Sequence, residues 1–176
     1  MDERIAVVDE QNRFVRWSDR AEVHKHRLVH RTIHVLVLSS DGERLLLQRR
    51  HRDKRTHPNH WDLSCAGHVD PSDETSSPDL DRMYLSTALR ELREELGIDA
   101  DVEPLGHFAP LDGVHYEQLR LFRARHDGPF VLQADEVEEV RFVTRDQLNA
   151  LLDDRSALVT ETLAYFAPLA IRQGWW

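Results

Sequence analysis

Three glutamates crowd one short stretch of this chain, Arg90-Glu91-Leu92-Arg93-Glu94-Glu95-Leu96-Gly97-Ile98. On a helix of about 3.6 residues per turn, Glu91, Glu94 and Glu95 share a face. They lie a quarter to a half turn from Leu85, Leu89, Leu92 and Leu96, the stripe expected to face the core, so they are not expected to be core residues. Like charges at i, i+4 cost a helix about 0.2–0.5 kcal/mol per pair, and a cation would relieve that repulsion. Hard carboxylate oxygens suit Mg²⁺ or Mn²⁺, and an ion held by only a few of them keeps positions open for water and a phosphate oxygen. Glutamates beside arginines are also an ordinary solvated, ion-paired helix face. The cluster alone leaves both readings open.

The complete pattern narrows the choice. The segment resembles the C-terminal half of the Nudix box, R-E-U-x-E-E-x-G-U with U aliphatic, at every specified position. Upstream, Ala66-Gly67-His68-Val69-Asp70-Pro71-Ser72-Asp73-Glu74 resembles that family's glycine loop more loosely. Glu74 lies seven residues after Gly67, one more than the family spacing, and sixteen before Arg90. An insertion within Ser72 to Met83 accounts for the difference, and Asp73 is the substitute for Glu74 as the loop carboxylate. The resemblance implies the Nudix fold, an α/β/α sandwich with a central mixed β-sheet. It also implies metal-dependent hydrolysis of a diphosphate bond in a nucleoside diphosphate derivative or similar small molecule. On that likeness Glu91, Glu94 and Glu95 hold Mg²⁺ or Mn²⁺ together with the main-chain carbonyl of Ala66, Glu91 serves as base, and Arg90 orients a glutamate through a charge-assisted hydrogen bond.

Val29-His30-Arg31, Leu45-Leu46-Leu47-Gln48-Arg49-Arg50, Lys54, Pro58, Trp61 and Ala66-Gly67-His68-Val69 are similar to the hydrolases related to type 1 isopentenyl diphosphate isomerase. That branch supplies a second reading, isomerase-like activity. In the isomerase a catalytic cysteine precedes the small residue and histidine of the loop. Here Ala66 holds that place and Cys65 falls one residue early, which on a strand turns it to the opposite face. Hydrolysis is therefore the expectation. A catalytically silent Nudix-fold ligand-binding protein is a third reading, against which the intact box glutamates speak. By the same likeness His30, His68 and Glu117 correspond to metal-site residues, although ordinary packing serves the histidines as well. His24, His26 and His34 are bunched with them but fit no zinc spacing. Glu136, Glu138 and Glu139 are further candidates, the last two directly preceding Val140–Val143, where the family's hydrolases place an additional carboxylate. Arg49, Arg50, Lys54 and His68 are the candidates for meeting the substrate, the cations by neutralising its phosphates.

Several elements must position these groups. Ile5–Val8 and Phe14–Trp17 read as a hairpin, and Ser18-Asp19 as the cap of a short helix to about His26. Thr32–Leu38 and Arg44–Gln48 read as strands at the sheet centre, joined by Ser39-Ser40-Asp41-Gly42. A polar loop over 51–60 precedes a strand from about Trp61 to Cys65, and a loop over Asp70–Asp79 precedes the longest helix, Leu80–Leu96, stopped by Gly97. Leu105–Phe108, Gln118–Arg125 and Val137–Val143 read as strands. Thr144-Arg145-Asp146-Gln147 is a capping box opening a helix to about Leu152, and Ser156–Arg172 reads as the last helix. The expected organisation is an extension over 1–28, one domain over 29–154, and a C-terminal helix over 155–176 packed on that domain. The extension and the insertion over 72–83 are placed to shape the pocket or a homodimer contact.

Composition sets the outer limits. The chain has 176 residues, 23 Lys plus Arg against 32 Asp plus Glu, and a formal charge of −9. No long basic run offers an electrostatic footprint for a nucleic-acid polymer. Carboxylates holding divalent cations would still attract a small phosphorylated ligand. One cysteine excludes an intramolecular disulfide and a cysteine-based zinc cluster. The absence of an apolar leader or a run of about 18 apolar residues points to the cytoplasm and away from a membrane.

Overall fold

The computed structural model describes residues 3–73 and 79–176. In chain order these form β1 (Arg4–Val8), β2 (Phe14–Asp19), α1 (Arg20–His26), β3 (Arg31–Leu38), β4 (Leu45–Arg50), β5 (Trp61–Asp62), β6 (Cys65–His68), α2 (Leu80–Leu96), β7 (Val102–Phe108), β8 (Gln118–Arg125), β9 (Val137–Val143), α3 (Arg145–Asp153) and α4 (Glu161–Arg172). β3 is buried at every residue. Such a strand needs cover on both faces, because successive side chains alternate. Ile33, Val35 and Val37 pack with Tyr84, Ala88, Leu92 and Leu96 of α2. Leu36 and Leu38 pack with Leu163, Phe166, Ala167 and Ala170 of α4. The result is the expected α/β/α sandwich.

β3 runs parallel to β8 along its whole length and antiparallel to β6 from Thr32 to Val35, so the sheet is mixed. β3 and β4, expected at the sheet centre, do lie there between β5 and β8. They meet only at Leu38 and Leu45, and β4 pairs instead with β9. The cause is β6, which takes the place beside the first half of β3. Ser64 bridges the resulting split, donating to Leu46 O at 2.5 Å and accepting from Val37 N at 2.8 Å. The strand expected over Trp61–Cys65 is accordingly broken into β5 and β6.

Two helices also differ from expectation. The buried side of α2 carries Tyr84, Thr87, Ala88, Leu92, Glu95 and Leu96, while Leu85 is exposed and Leu89 only half-buried. α2 is thus rotated so that glutamates, not Leu85, share the inner face. α4 begins at Glu161 rather than near Ser156, because the preceding residues are drawn out along β5: Trp61 N–H donates to Leu158 O at 2.8 Å and Thr160 N–H to Trp61 O at 2.9 Å. Thr160 then caps α4 and also donates to the buried Asp62 at 2.7 Å.

The N-terminal hairpin β1–β2 forms its own two-stranded sheet. It is anchored by Ala6 N–H to Val69 O at 3.1 Å and Val8 N–H to Val29 O at 2.9 Å. This docking carries Glu3 to the end of β6. Trp176, at the other terminus, is buried among the α4 contacts. No helix of the described residues is long and apolar enough to cross a membrane.

Candidate active site

A cleft of about 540 Å³ opens where β6 passes under α2. Gly67 makes that passage possible. A Cβ there would lie 2.0 Å from Glu91 Cδ, so the glycine supplies the space the Glu91 carboxylate occupies. One turn further along α2, Glu95 is buried and accepts from Gln48 Nε2 and from Ala66 N–H, both at 3.3 Å. The sequence reading kept all three glutamates off the core. Glu91 and Glu95 in fact face inward, and only Glu94 is largely exposed, at 51%. Burial, then the charge of Glu95, pushes the Glu91 carboxyl up to about 8 against the pull of Arg90. Burial likewise raises Glu95, opposed by its bonds from the Cys65 thiol and Ala66 N–H.

Arg90 organises the rim. Its guanidinium donates to both oxygens of the buried Asp73, at 3.0 and 2.8 Å, to Glu91 at 2.8 Å, to Glu94 at 2.9 Å and to His68 O at 3.0 Å. Burial opposes the Arg90 charge, but the Asp73 bond and the neighbouring carboxylates hold it firmly protonated. Among the described residues Asp73 is thus the loop carboxylate that meets Arg90, and Glu74 lies outside the described residues. Two inward-facing carboxylates, Glu91 largely and Glu95 fully buried, at mutual electrostatic cost, are a donor set that fits a hard dication. As placed, Glu91 and Glu94 are both held by Arg90, and among the described residues no three His, Cys, Asp or Glu side chains converge on one point.

A second set of groups lines the same cleft. His24, His30 and His68 stand with ring centroids 5.2–5.6 Å apart, next to Tyr116. His68 Nδ1 meets Glu3 Oε1 at 2.8 Å, and His24 Nδ1 meets the Tyr116 hydroxyl at 2.6 Å. Among the described residues Nε2 of His24 and of His30 has no hydrogen-bond partner. Glu117 lies 3.9 Å from His30 Nε2, and burial, then the charge of Asp62, pushes its carboxyl up to about 7. Of the expected cations, Arg50 and Lys54 line the cleft, joined by Arg20 and Arg27 of the N-terminal segment. Burial, then the charges of Arg20 and Arg50, lowers Lys54 to about 8, and the group pairs with Glu136.

Arg49, Glu138 and Glu139 do not line the cleft. Alternation along β4 turns Arg49 away from Gln48 and Arg50, and it pairs with Glu139 across the ladder at 3.4 Å. Glu138 sits 3.5 Å from His51. Cys65 is fully buried in the α2-side core, opposite the face that Ala66 presents. Gln48 and Glu3 were missed from sequence. Gln48 had a usable signal, a polar side chain on a buried strand, whereas Glu3 reaches the site only because the hairpin docks.

The NUDIX domain family matches residues 28–163. An uncharacterized Nudix hydrolase of Pseudomonas aeruginosa is 38% identical over 142 residues, covering 80% of this chain and 78% of that protein. A protein of Photorhabdus laumondii named isopentenyl-diphosphate Delta-isomerase 2 is 27% identical over 165 residues, covering 91% and 88%. The crystal structure of DR0079 from Deinococcus radiodurans superposes with a TM-score of 0.75 at 23% identity, over 97% of this chain and 98% of that one, a likeness of fold. With its box carboxylates gathered over Gly67, and with these relatives, the chain belongs to the Nudix hydrolases, metal-dependent enzymes of pyrophosphate-bond cleavage.

Proposed function

We propose that this chain hydrolyses a small hydrophilic diphosphate with Mg²⁺ or Mn²⁺, by attack of water on phosphorus. The observation that carries the reading is the pair of inward-facing carboxylates, the largely buried Glu91 and the buried Glu95, in a cleft that also holds Arg20, Arg27, Arg50 and Lys54. Glu91, Glu94, Glu95 and the Ala66 carbonyl are the proposed holders of the metal, with Glu117 a further candidate. Bound there, the ion supplies charge neutralisation for the phosphates and acidifies water. Glu91 takes the proton of the attacking water as the bridging P–O bond breaks. Arg90 fixes the Glu91 and Glu94 carboxylates, and Arg50, Lys54 and His68 meet the departing phosphate. Residues 29–154 supply the carboxylates, while the flanking segments furnish walls through Arg20, Arg27, Thr160 and Thr162.

One observation favours isomerase-like chemistry: His24, His30, His68 and Glu117 lie together, in a chain with isomerase-named relatives. That chemistry calls for a thiol open to the cleft, and the Cys65 thiol is fully buried, hydrogen-bonded to Glu95 behind the cleft wall. The test is release of phosphate or nucleotide from a panel of diphosphates with Mg²⁺ and Mn²⁺, alongside Glu94→Gln and an isopentenyl diphosphate isomerisation assay. Hydrolysis abolished by chelator and by Glu94→Gln is the expected result. A silent panel, with isomerisation or turnover-free binding instead, would overturn the reading.

A further inference from the structure

Beyond the carboxylates the cleft continues on the α4 side of the sheet. Thr32 and His34 are two residues apart on β3 and so point the same way, opposite His68 and Ala66 of β6. His115, from the segment joining β7 to β8, comes to the same place. The His34 and His115 rings both pack against Phe166, with centroids 6.5 and 5.7 Å away. Thr32, His34 and His115 are only 5%, 6% and 7% exposed, and all three line the cleft. Yet among the described residues Thr32 Oγ1, His34 Nδ1 and both ring nitrogens of His115 have no partner in full hydrogen-bond geometry. The His115 ring approaches the Glu117 main-chain carbonyl, and its Nδ1 lies 3.5 Å from Glu117 Oε2, neither in full bonding geometry. Buried polar atoms are rarely left so, and several gathered in one recess call for a ligand that satisfies them.

The chemistry of that ligand follows from what surrounds it. An imidazole buried this deeply is neutral and offers one donor and one acceptor, and a threonine hydroxyl offers both. The buried Asp62 lines the recess, which disfavours a phosphate there. An alkyl chain would leave every orphaned atom unsatisfied. A flat base would need a free aromatic face, and the face of Tyr116 is covered by the Arg27 guanidinium at 4.8 Å from the ring centroid. A neutral group that both donates and accepts is left. We propose that Thr32, His34 and His115 form a subsite for a hydroxyl-bearing, sugar-like group attached to the diphosphate. This rests on the reading of the neighbouring cleft as a diphosphate site.

The experiment compares kcat/KM for UDP-glucose and isopentenyl diphosphate with Mg²⁺ in the wild-type chain and in His34→Leu, His115→Leu and the shape-conserving Thr32→Val. Calorimetric binding of UDP-glucose with Ca²⁺ runs beside it. The wild type is expected to prefer UDP-glucose, and each histidine variant to lose about tenfold or more of that preference, the effect of one unpaired buried group. The ratio between substrates cancels any loss of folded protein. An unchanged ratio in all three variants, or a wild type that prefers isopentenyl diphosphate, overturns the subsite while leaving the hydrolase reading intact. If neither compound is hydrolysed but UDP-glucose binds and the variants weaken it tenfold, the hydrolase reading falls and the subsite stands. UDP-glucose that is neither bound nor cleaved refutes the subsite outright.

Discussion

Gly67→Ala should separate activity from stability. An alanine Cβ would lie 2.0 Å from Glu91 Cδ, 2.1 Å from Oε1 and 2.4 Å from Cγ, where ordinary contact begins near 3.4 Å, so the Glu91 carboxylate must retreat by about 1.4 Å. The three nearest atoms all belong to that one side chain, so its movement relieves the worst of the clash. Replacing glycine by alanine on unstrained backbone restricts the unfolded chain and stabilises by about 0.4–1 kcal/mol. Loss of the Arg90–Glu91 bond, about 0.5–1.5 kcal/mol, offsets it. The melting temperature should therefore shift by no more than about 4 °C for a chain of this size. Activity should fall far more, because a displacement of about 1 Å in a reacting group can cost on the order of 100-fold. The assay is Mg²⁺-dependent kcat/KM on the best diphosphate of the panel, with thermal melts of the same preparations. Gly67→Ala combined with Glu91→Gln should cost little more than Glu91→Gln alone, since both act through one carboxylate. Activity within about threefold of wild type, or a melting temperature depressed as by a core cavity, would refute the argument.

Two further outcomes follow from the charges. Asp73→Ala strips the buried partner that meets Arg90 with both oxygens; with Arg90 partly exposed and still holding Glu91 and Glu94, the cost is about 2–3 kcal/mol, and an unchanged melt would count against Asp73 as the loop carboxylate. Because burial and Glu95 push Glu91 up to about 8 in the metal-free chain, its proton must leave when a cation binds, so Mg²⁺ or Mn²⁺ affinity should rise from pH 6 to 8 with proton release visible by calorimetry in two buffers. The stability sign is the reverse: the folded value exceeds the unfolded one of about 4.5, so the metal-free fold loses stability as pH rises from about 4.5 through 8, then levels off. A metal affinity flat across pH 6–8 would contradict this.

Much of the molecule was legible before any coordinates. The bounds of α2, the Thr144 capping box and the strands Gln118–Arg125 and Val137–Val143 follow from short-range rules of periodicity, capping and turn chemistry. So did the box, because its carboxylates lie within two turns of one segment. Arg90, Glu91, Glu94 and Glu95 are neighbours in sequence, and helix geometry alone brings them together.

What the tertiary structure decided was everything requiring two distant segments to meet. Residues on one strand alternate between faces, but which face looks into the cleft depends on its neighbours: this admitted Arg50 and excluded Arg49, and buried Cys65 behind Ala66. Rotation of α2 about its axis, set by packing against β3 and β6, turned Glu91 and Glu95 inward and left Leu85 outside. Glu3 reached His68 across 65 residues through hairpin docking, and His115 reached His34 across the parallel pairing of β3 with β8. Sequence by itself determined the chemistry available, because reactive groups and helical spacing are local. Only the folded chain decided which groups share a cavity, since burial and long-range register are properties of the whole core.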